Sequence, residues 1–217
     1  MKISLTGLLP SVTVFNLAKG WLGQLSQSGN QAAGGGPLTD EQGRALTSAQ
    51  IAAMSTNQLN ALSAWQFAIL SPAQASAITT LQMAALESAD LAALNSGAMR
   101  AMSSAQIDAL GTEQLAVLGA AQVAALATTV VAALLSADLA ALSSAQLAAF
   151  TTAQVKALTS ALLAGLSSEA LNALGTAQFA ALSSQQLRAL TTQQVQALES
   201  ADLRALSSAA LRALNSD

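Results

Sequence analysis

Large apolar residues recur every eight positions along most of the chain. Counting from Leu38, each eighth residue through Leu214 is leucine, isoleucine, methionine or phenylalanine, and the register never slips. This gives 22 complete octads, the last of which ends at Ala213. Within the octads, position 6 is a large apolar residue in all but two, position 8 is alanine in 19, position 2 is Ser or Thr in 14, and position 5 is Gln in 14. Such strong self-similarity predicts a repeat architecture.

The polar positions of the octad predict where helices begin. Ser or Thr followed three residues later by Gln is typical of a capping box, in which each side chain bonds the backbone N–H of the other residue. The apolar residues just before the Ser/Thr and just after the Gln then form a hydrophobic staple. Pro72 directly follows Ser71, which places it at the first helical position, where proline is well tolerated. Each octad therefore starts a new helix.

Two simpler structures do not fit an eight-residue period. On a single long helix, eight residues advance about 80° beyond two full turns, so the apolar stripe would rotate around the cylinder and could not be buried on one side. On a strand, positions 1 and 6 would face opposite sides of a sheet. We therefore predict an all-α solenoid of very short helices, one per octad and about 22 in all, each about 9 Å long. The number of octads per superhelical turn stays open, because neighbouring octads show no alternation.

Charge and composition exclude several functions. The chain has only eight basic residues and a net charge of -3, so a nucleic-acid interface is not expected. It has no cysteine and no histidine, which excludes disulfides and thiolate metal sites. No nucleophile lies beside a base, and no phosphate loop or metal spacing appears. We expect no catalytic residues, no metal and no cofactor, and hence no enzyme.

The chain divides into three segments. Residues 1–25 differ from the octads and are interpreted as an N-terminal targeting or docking segment. Lys2 and the apolar residues after it resemble a signal peptide, but Gly7 and Pro10 interrupt them. Residues 26–37 are rich in Gly, Ser and Gln and form a flexible linker. Residues 38–217 are the octapeptide-repeat array.

One stretch of the array invites a membrane interpretation. Residues 115–137 carry no charge, and a hydropathy scan would score them as a membrane span. However, their large apolar residues keep the octad register, and no aromatic belt flanks them. Ala127 and Leu135 replace the usual capping residue. An alternative prediction is that neighbouring octads merge there into a longer helix. The alternative hypothesis is thus a membrane-interacting secreted protein that uses residues 1–25 and 115–137.

A few side chains stand out as candidates for function. Asp90, Asp138 and Asp202 occupy the Gln position and are interpreted as capping acids near helix N-termini rather than spaced catalytic carboxylates. Every basic residue inside the array occupies position 7, which identifies that position as solvent-facing. The candidate interaction surface comprises Arg188, Arg204, Arg212 and Trp65. The arginines fit either an acidic partner or a solvated face, and Trp65 fits either a contact site or a packed aromatic.

The octads also resemble a known kind of repeat. Residues 142–157, LSSAQLAAFTTAQVKA, and residues 182–197, LSSQQLRALTTQQVQA, resemble the LTTAQ-type repeats of large exported bacterial proteins described as adhesin-like or heme-utilisation-like. The likeness covers residues 38–217. Mesothelin-like superhelical proteins are similar only in rhythm. The heme description finds no support in these residues, since the chain has no His or Tyr and no Cys.

These observations together predict a non-enzymatic spacer or protein-interaction scaffold. The resemblance implies a secreted or cell-surface location in a bacterium, with a cytoplasmic location as the alternative. A protein partner or self-association is expected, and a membrane is the lesser alternative.

Overall fold

The computed structural model of the chain describes Arg44 and residues 46–214. The predicted N-terminal segment and linker therefore lie outside the described residues. Residues 46–214 form 21 helices of five to seven residues. In chain order they are α1 Ser48–Ala53, α2 Thr56–Asn60, α3 Ala64–Ala68, α4 Pro72–Ser76, α5 Thr80–Ala84, α6 Ser88–Ala93, α7 Ser96–Ala101, α8 Ser104–Asp108, α9 Thr112–Ala116, α10 Ala120–Ala125, α11 Thr128–Ala132, α12 Ser136–Ala141, α13 Ser144–Ala148, α14 Thr152–Ala157, α15 Ser160–Ala164, α16 Ser168–Asn172, α17 Thr176–Ala181, α18 Ser184–Arg188, α19 Thr192–Gln196, α20 Ser200–Ala205 and α21 Ser208–Leu214.

The predicted capping boxes form the corners between these helices. At the start of α13, the Ser143 hydroxyl accepts a hydrogen bond from the Gln146 backbone N–H at 3.3 Å, and the Ser143 N–H donates to Gln146 Oε1 at 2.8 Å. Ser143 itself has extended backbone angles, which turn the chain sharply. Each helix then ends when the next position 1 bonds back to position 6, as Phe150 N–H does to the Leu147 carbonyl. One octad therefore contains one complete helix and one corner, which confirms the predicted fold class.

Three octads make one turn of the solenoid. The main contacts between helices all join a helix to the one three positions along the chain. The hydrogen bonds between turns link residues 25 to 31 positions apart, as expected for a turn of about 24 residues. The helices therefore lie in three stacks. The first face comprises α1, α4, α7, α10, α13, α16 and α19; the second face comprises α2, α5, α8, α11, α14, α17 and α20; the third face comprises α3, α6, α9, α12, α15, α18 and α21.

The core runs along the axis of the solenoid and is built from octad positions 1 and 6. Phe67 and Phe179 are fully buried at position 6, and Leu86 and Leu158 are almost fully buried at position 1. Because both positions point inward in the helices before the last described one, where Leu211 is 39 % exposed, the three faces share one continuous apolar interior. A single octad buries only two large side chains, worth roughly 3–6 kcal/mol. Ordering its eight residues costs about 12 kcal/mol, so the octads are stable only as a stack.

The uncharged stretch at residues 115–137 has the same octad structure as the rest of the array. It contains the end of α9, all of α10 and α11, and the start of α12, and it turns a corner at Gly119, Ala127 and Leu135. The possible merging of octads at Ala127 and Leu135 is therefore wrong, because extended backbone at those residues still separates the helices. Among the described residues, no helix has the length and apolar character needed to cross a membrane.

Candidate functional site

The glutamine at position 5 does more than cap its own helix. Gln146 Oε1 accepts from the Ser143 N–H, as the capping box predicts. Its Nε2 group, however, donates to the Leu115 and Leu118 carbonyl oxygens of the preceding turn, both at 2.8 Å. These carbonyls flank the corner that ends α9. A single buried amide thus forms hydrogen bonds both to the start of its own helix and to one corner of the preceding turn.

This bridge recurs at nine places in the described array, from α5 to α19. Nine glutamines donate Nε2 to both carbonyls, 31 and 28 residues earlier: Gln82, Gln106, Gln114, Gln122, Gln146, Gln154, Gln178, Gln186 and Gln194. We call this set the glutamine ladder. A capping box accepts Glu as readily as Gln, yet position 5 never carries Glu in this chain. That preference is the sequence signal for the bridge, because only the amide has hydrogens to donate.

The three aspartates at position 5 interrupt the ladder. Asp138 Oδ2 accepts from the Leu135 N–H at 2.9 Å, so the predicted capping role is confirmed there. Asp90 and Asp202 also lie in the first turn of a helix, as predicted, and are buried, but neither makes the corresponding capping bond. Each lies three residues after a glutamate, Glu87 or Glu199, that occupies the N-cap position. Burial and this neighbouring charge raise the pKa of Asp90 to about 6 and also raise the pKa of Asp202.

The surroundings of Asp90 recur around Asp202. Asn60 lies 30 residues before Asp90, and Asn172 lies 30 residues before Asp202. Both asparagines donate Nδ2 to an alanine carbonyl of the next turn, Asn60 to Ala85 at 2.8 Å and Asn172 to Ala197 at 2.7 Å. Both leave a buried Oδ1 that accepts no hydrogen bond. The two places where the ladder is broken by a raised-pKa acid are therefore built alike, and polar groups there are less fully satisfied than elsewhere.

We expect the stability of the chain to fall as the pH rises from about 4 to about 7. Between about pH 4 and about pH 6 folded Asp90 holds a proton that the unfolded chain has already released, because its folded pKa is raised to about 6, and Asp202, whose pKa is also raised, acts in the same direction. Replacing Asp90 by Gln, which restores the two donors, should stabilise the chain at pH 7 by about 1–2 kcal/mol and flatten this dependence. Urea unfolding followed by circular dichroism at several pH values measures both effects.

The exposed Asp108 supplies the control for that experiment. It is the last residue of α8, at octad position 7, and its side chain is exposed. Asp108→Gln therefore changes the charge by the same amount without altering a corner. Its unfolding curve should keep the pH dependence of the original chain. Equal effects from both substitutions would mean that overall charge, and not the buried aspartate, governs the dependence.

The predicted interaction residues are all on the surface but do not form one patch. Arg188 lies in α18 and Arg212 in α21. These two helices belong to the third face, one turn apart, and pack against each other. Arg204 lies in α20 on the second face. Trp65 is 55 % exposed near the start of α3, at the opposite end of the third face. It is therefore exposed rather than packed.

The described surface contains at least two recesses. One recess of about 560 Å³ lies between the corners at residues 84–88 and 111–114 and includes Glu87 and Glu113. Another of about 270 Å³ lies beside Arg188 and is lined mainly by Leu187, Leu190 and Val195. Within Arg44 and residues 46–214, no three Asp or Glu side chains come together in a way that would hold a metal ion.

Comparison with known protein families identifies the repeat. A profile of the ALTTAQ repeat matches residues 44–80, 83–119, 100–128, 131–168, 168–200 and 195–217. The chain belongs to the ALTTAQ repeat family. It matches no curated protein and no solved structure.

The structure explains three letters of the ALTTAQ motif. Residues 149–154, AFTTAQ, differ from it at one letter. Phe150 fills the core at position 1, Thr151 caps α14, and Gln154 joins the corner of its own helix to the Val123 and Leu126 carbonyls. The buried polar residue of the motif, Gln154, thus helps to hold neighbouring turns together.

Proposed function

We propose that this ALTTAQ array is a non-enzymatic spacer and interaction scaffold. The observation that carries the proposal is the glutamine ladder: its buried amide groups are directed to backbone carbonyls of the preceding turn, where they hold the array together. The hydroxyl groups at position 2 are similarly engaged as helix caps. Such a chain sets a distance between its ends and offers three long faces to other molecules.

We place this scaffold outside the cell or on its surface, in a bacterium. The location rests on the resemblance of residues 142–157 and 182–197 to repeats of exported adhesin-like proteins. The absence of cysteine from the chain is compatible with an extracellular environment as well as with the cytoplasm. A protein partner or a second copy of the chain is the expected binding partner, since each face is long and presents mostly small side chains.

Removing one full turn should shorten the protein without unfolding it. Deleting residues 118–141 removes three octads and rejoins the chain in register, so the remaining helices still stack three apart. We expect the ends to approach by about 8–10 Å, the usual distance between packed helices. Small-angle scattering, or energy transfer between dyes at Thr47 and Ser208, measures this change, and circular dichroism checks the fold.

A deletion of twelve residues, 118–129, is the matched control. It leaves the half-octad 130–133 at the junction and moves the later helices to other faces, so stacking between turns is disrupted there and the stability should fall. A full-turn deletion that unfolds the chain would contradict the spacer proposal. Liposome flotation of the original chain, lost on deletion of 118–141, would instead favour the membrane-interacting alternative.

A further inference from the structure

The third face carries opposite charges toward its two ends. Glu87 and Glu113 lie beside the second and third helices of this face, α6 and α9, and both are exposed. Arg188 and Arg212 lie in the sixth and seventh helices, α18 and α21, and are likewise exposed. The face is thus acidic in its first half and basic in its second half.

The middle of this face is apolar and carries no exposed charge. Its fourth and fifth helices are α12 and α15, and the one charged side chain in their octads, Asp138, is buried. Leu135, at the start of α12, is 57 % exposed, the most exposed leucine of the described array after Leu81. Gly165 follows α15 and lies against α12, where an added Cβ would be 3.8 Å from Ser136 Oγ. Small residues and one uncovered leucine therefore separate the charged halves.

We propose that two copies of the chain pair through their third faces in an antiparallel dimer. A two-fold axis between α12 and α15 places the third helix of one copy opposite the sixth helix of the other, and the second opposite the seventh. Glu113 then meets the other copy's arginine at position 188, and Glu87 meets the one at position 212. The symmetry forms each contact twice and covers Leu135 in both copies.

The lateral positions of Glu113 and Arg188 agree with this pairing. Glu113 is the second residue of α9 and Arg188 is the fifth residue of α18, so they are offset by three residues along the helix axis, or about 4.5 Å. This offset is shorter than an extended arginine side chain. A two-fold axis parallel to the solenoid would instead place each helix opposite its own copy, glutamate against glutamate. Only the antiparallel arrangement brings opposite charges together.

The size of the face predicts a weak dimer. Six helices packed about 8–10 Å apart, each about 9 Å long, form a strip of roughly 50 by 9 Å. This is smaller than the roughly 800 Å² per partner of a standard stable interface. We therefore expect a dissociation constant of roughly 10–100 μM. We also expect strong weakening by salt, because the charge pairs are exposed.

Charge-swapped variants of the full-length chain test the proposal. Sedimentation velocity over a concentration series should show a monomer–dimer equilibrium at 20 mM NaCl that weakens several-fold at 500 mM NaCl. Glu113→Arg and Arg188→Glu each create like-charge contacts in their own dimers and should each weaken dimerisation about tenfold or more. Mixed together, the two variants should form a heterodimer, because the swapped charges again face opposite partners.

Arg100→Glu provides the matched control. Arg100 is exposed in α7, at octad position 7, on the first face. The same kind of charge change there should therefore leave the dimer intact. A chain that stays monomeric at low salt up to millimolar concentration would overturn the proposal. So would a dimer that is insensitive to Arg188→Glu, a mixture of variants that does not associate, or a dimer broken by Arg100→Glu. None of these outcomes changes the end-to-end distance that tests the spacer function.

Discussion

Replacing Gln186 by glutamate is expected to destabilise the array by about 3–4 kcal/mol. Gln186 is almost completely buried, and its Nε2 group donates to the Val155 and Leu158 carbonyl oxygens at 2.9 and 2.8 Å. Glutamate has the same shape and still accepts the Ser183 N–H bond, so the capping box survives. The ionised carboxylate, however, has no hydrogen to donate and would face two carbonyl oxygens. Urea unfolding at pH 7.5, followed by circular dichroism, measures the loss.

The adjacent Gln185 offers a closely matched control. It lies in the same helix, and its exposed side chain makes no bridge to the preceding turn; only its backbone carbonyl, which the substitution leaves unchanged, accepts a bond from Ser160 Oγ. Gln185→Glu should change the free energy of unfolding by no more than about 0.5 kcal/mol. The buried variant should also recover part of its stability below about pH 5, because a protonated glutamic acid regains one donor. Equal losses from the two variants would show that the bridge contributes little.

The sequence predicts much of this fold because the octad pattern encodes local structure. The pairing of Ser143 with Gln146 predicts the corner at the start of α13, and Leu147 and Phe150 are predicted to enter the core from their places in the octad. These features depend on residues less than eight positions apart. A short-range pattern that is repeated many times can therefore be read directly from the chain.

The stacking of turns was harder to predict because it depends on backbone groups. The amide of Gln146 donates to carbonyls that lie 28 and 31 residues earlier. Every residue has a backbone carbonyl, so the residue type at the acceptor position does not indicate the bond. The absence of glutamate from position 5 was the available sign. The same reasoning applies to the missing capping bonds at Asp90 and Asp202: a cap was expected from their position, whereas burial without the bond depends on the neighbouring turn.

The candidate interaction residues show a similar division. Exposure of Arg188, Arg204 and Arg212 follows from position 7 of the octad, which is a local property. Their grouping depends on the number of octads per turn. With three octads per turn, residues 24 apart share a face, so Arg188 lies beside Arg212, and Arg204 lies on another face. A pattern of exposed residues thus becomes a surface only once the turn length is known.

The second large effect is expected from Met83, whose replacement by alanine should destabilise the array by about 2–5 kcal/mol. Met83 lies in α5 at octad position 6 and is fully buried, whereas Leu81 in the same helix is 73 % exposed. Hydropathy treats the two residues alike, but the octad places them on opposite sides of the helix. Leu81→Ala should therefore have an effect within about 0.5 kcal/mol. Urea unfolding of both variants measures the contrast, and a larger loss at Leu81 would mean that the octad positions have been assigned to the wrong sides of the helix.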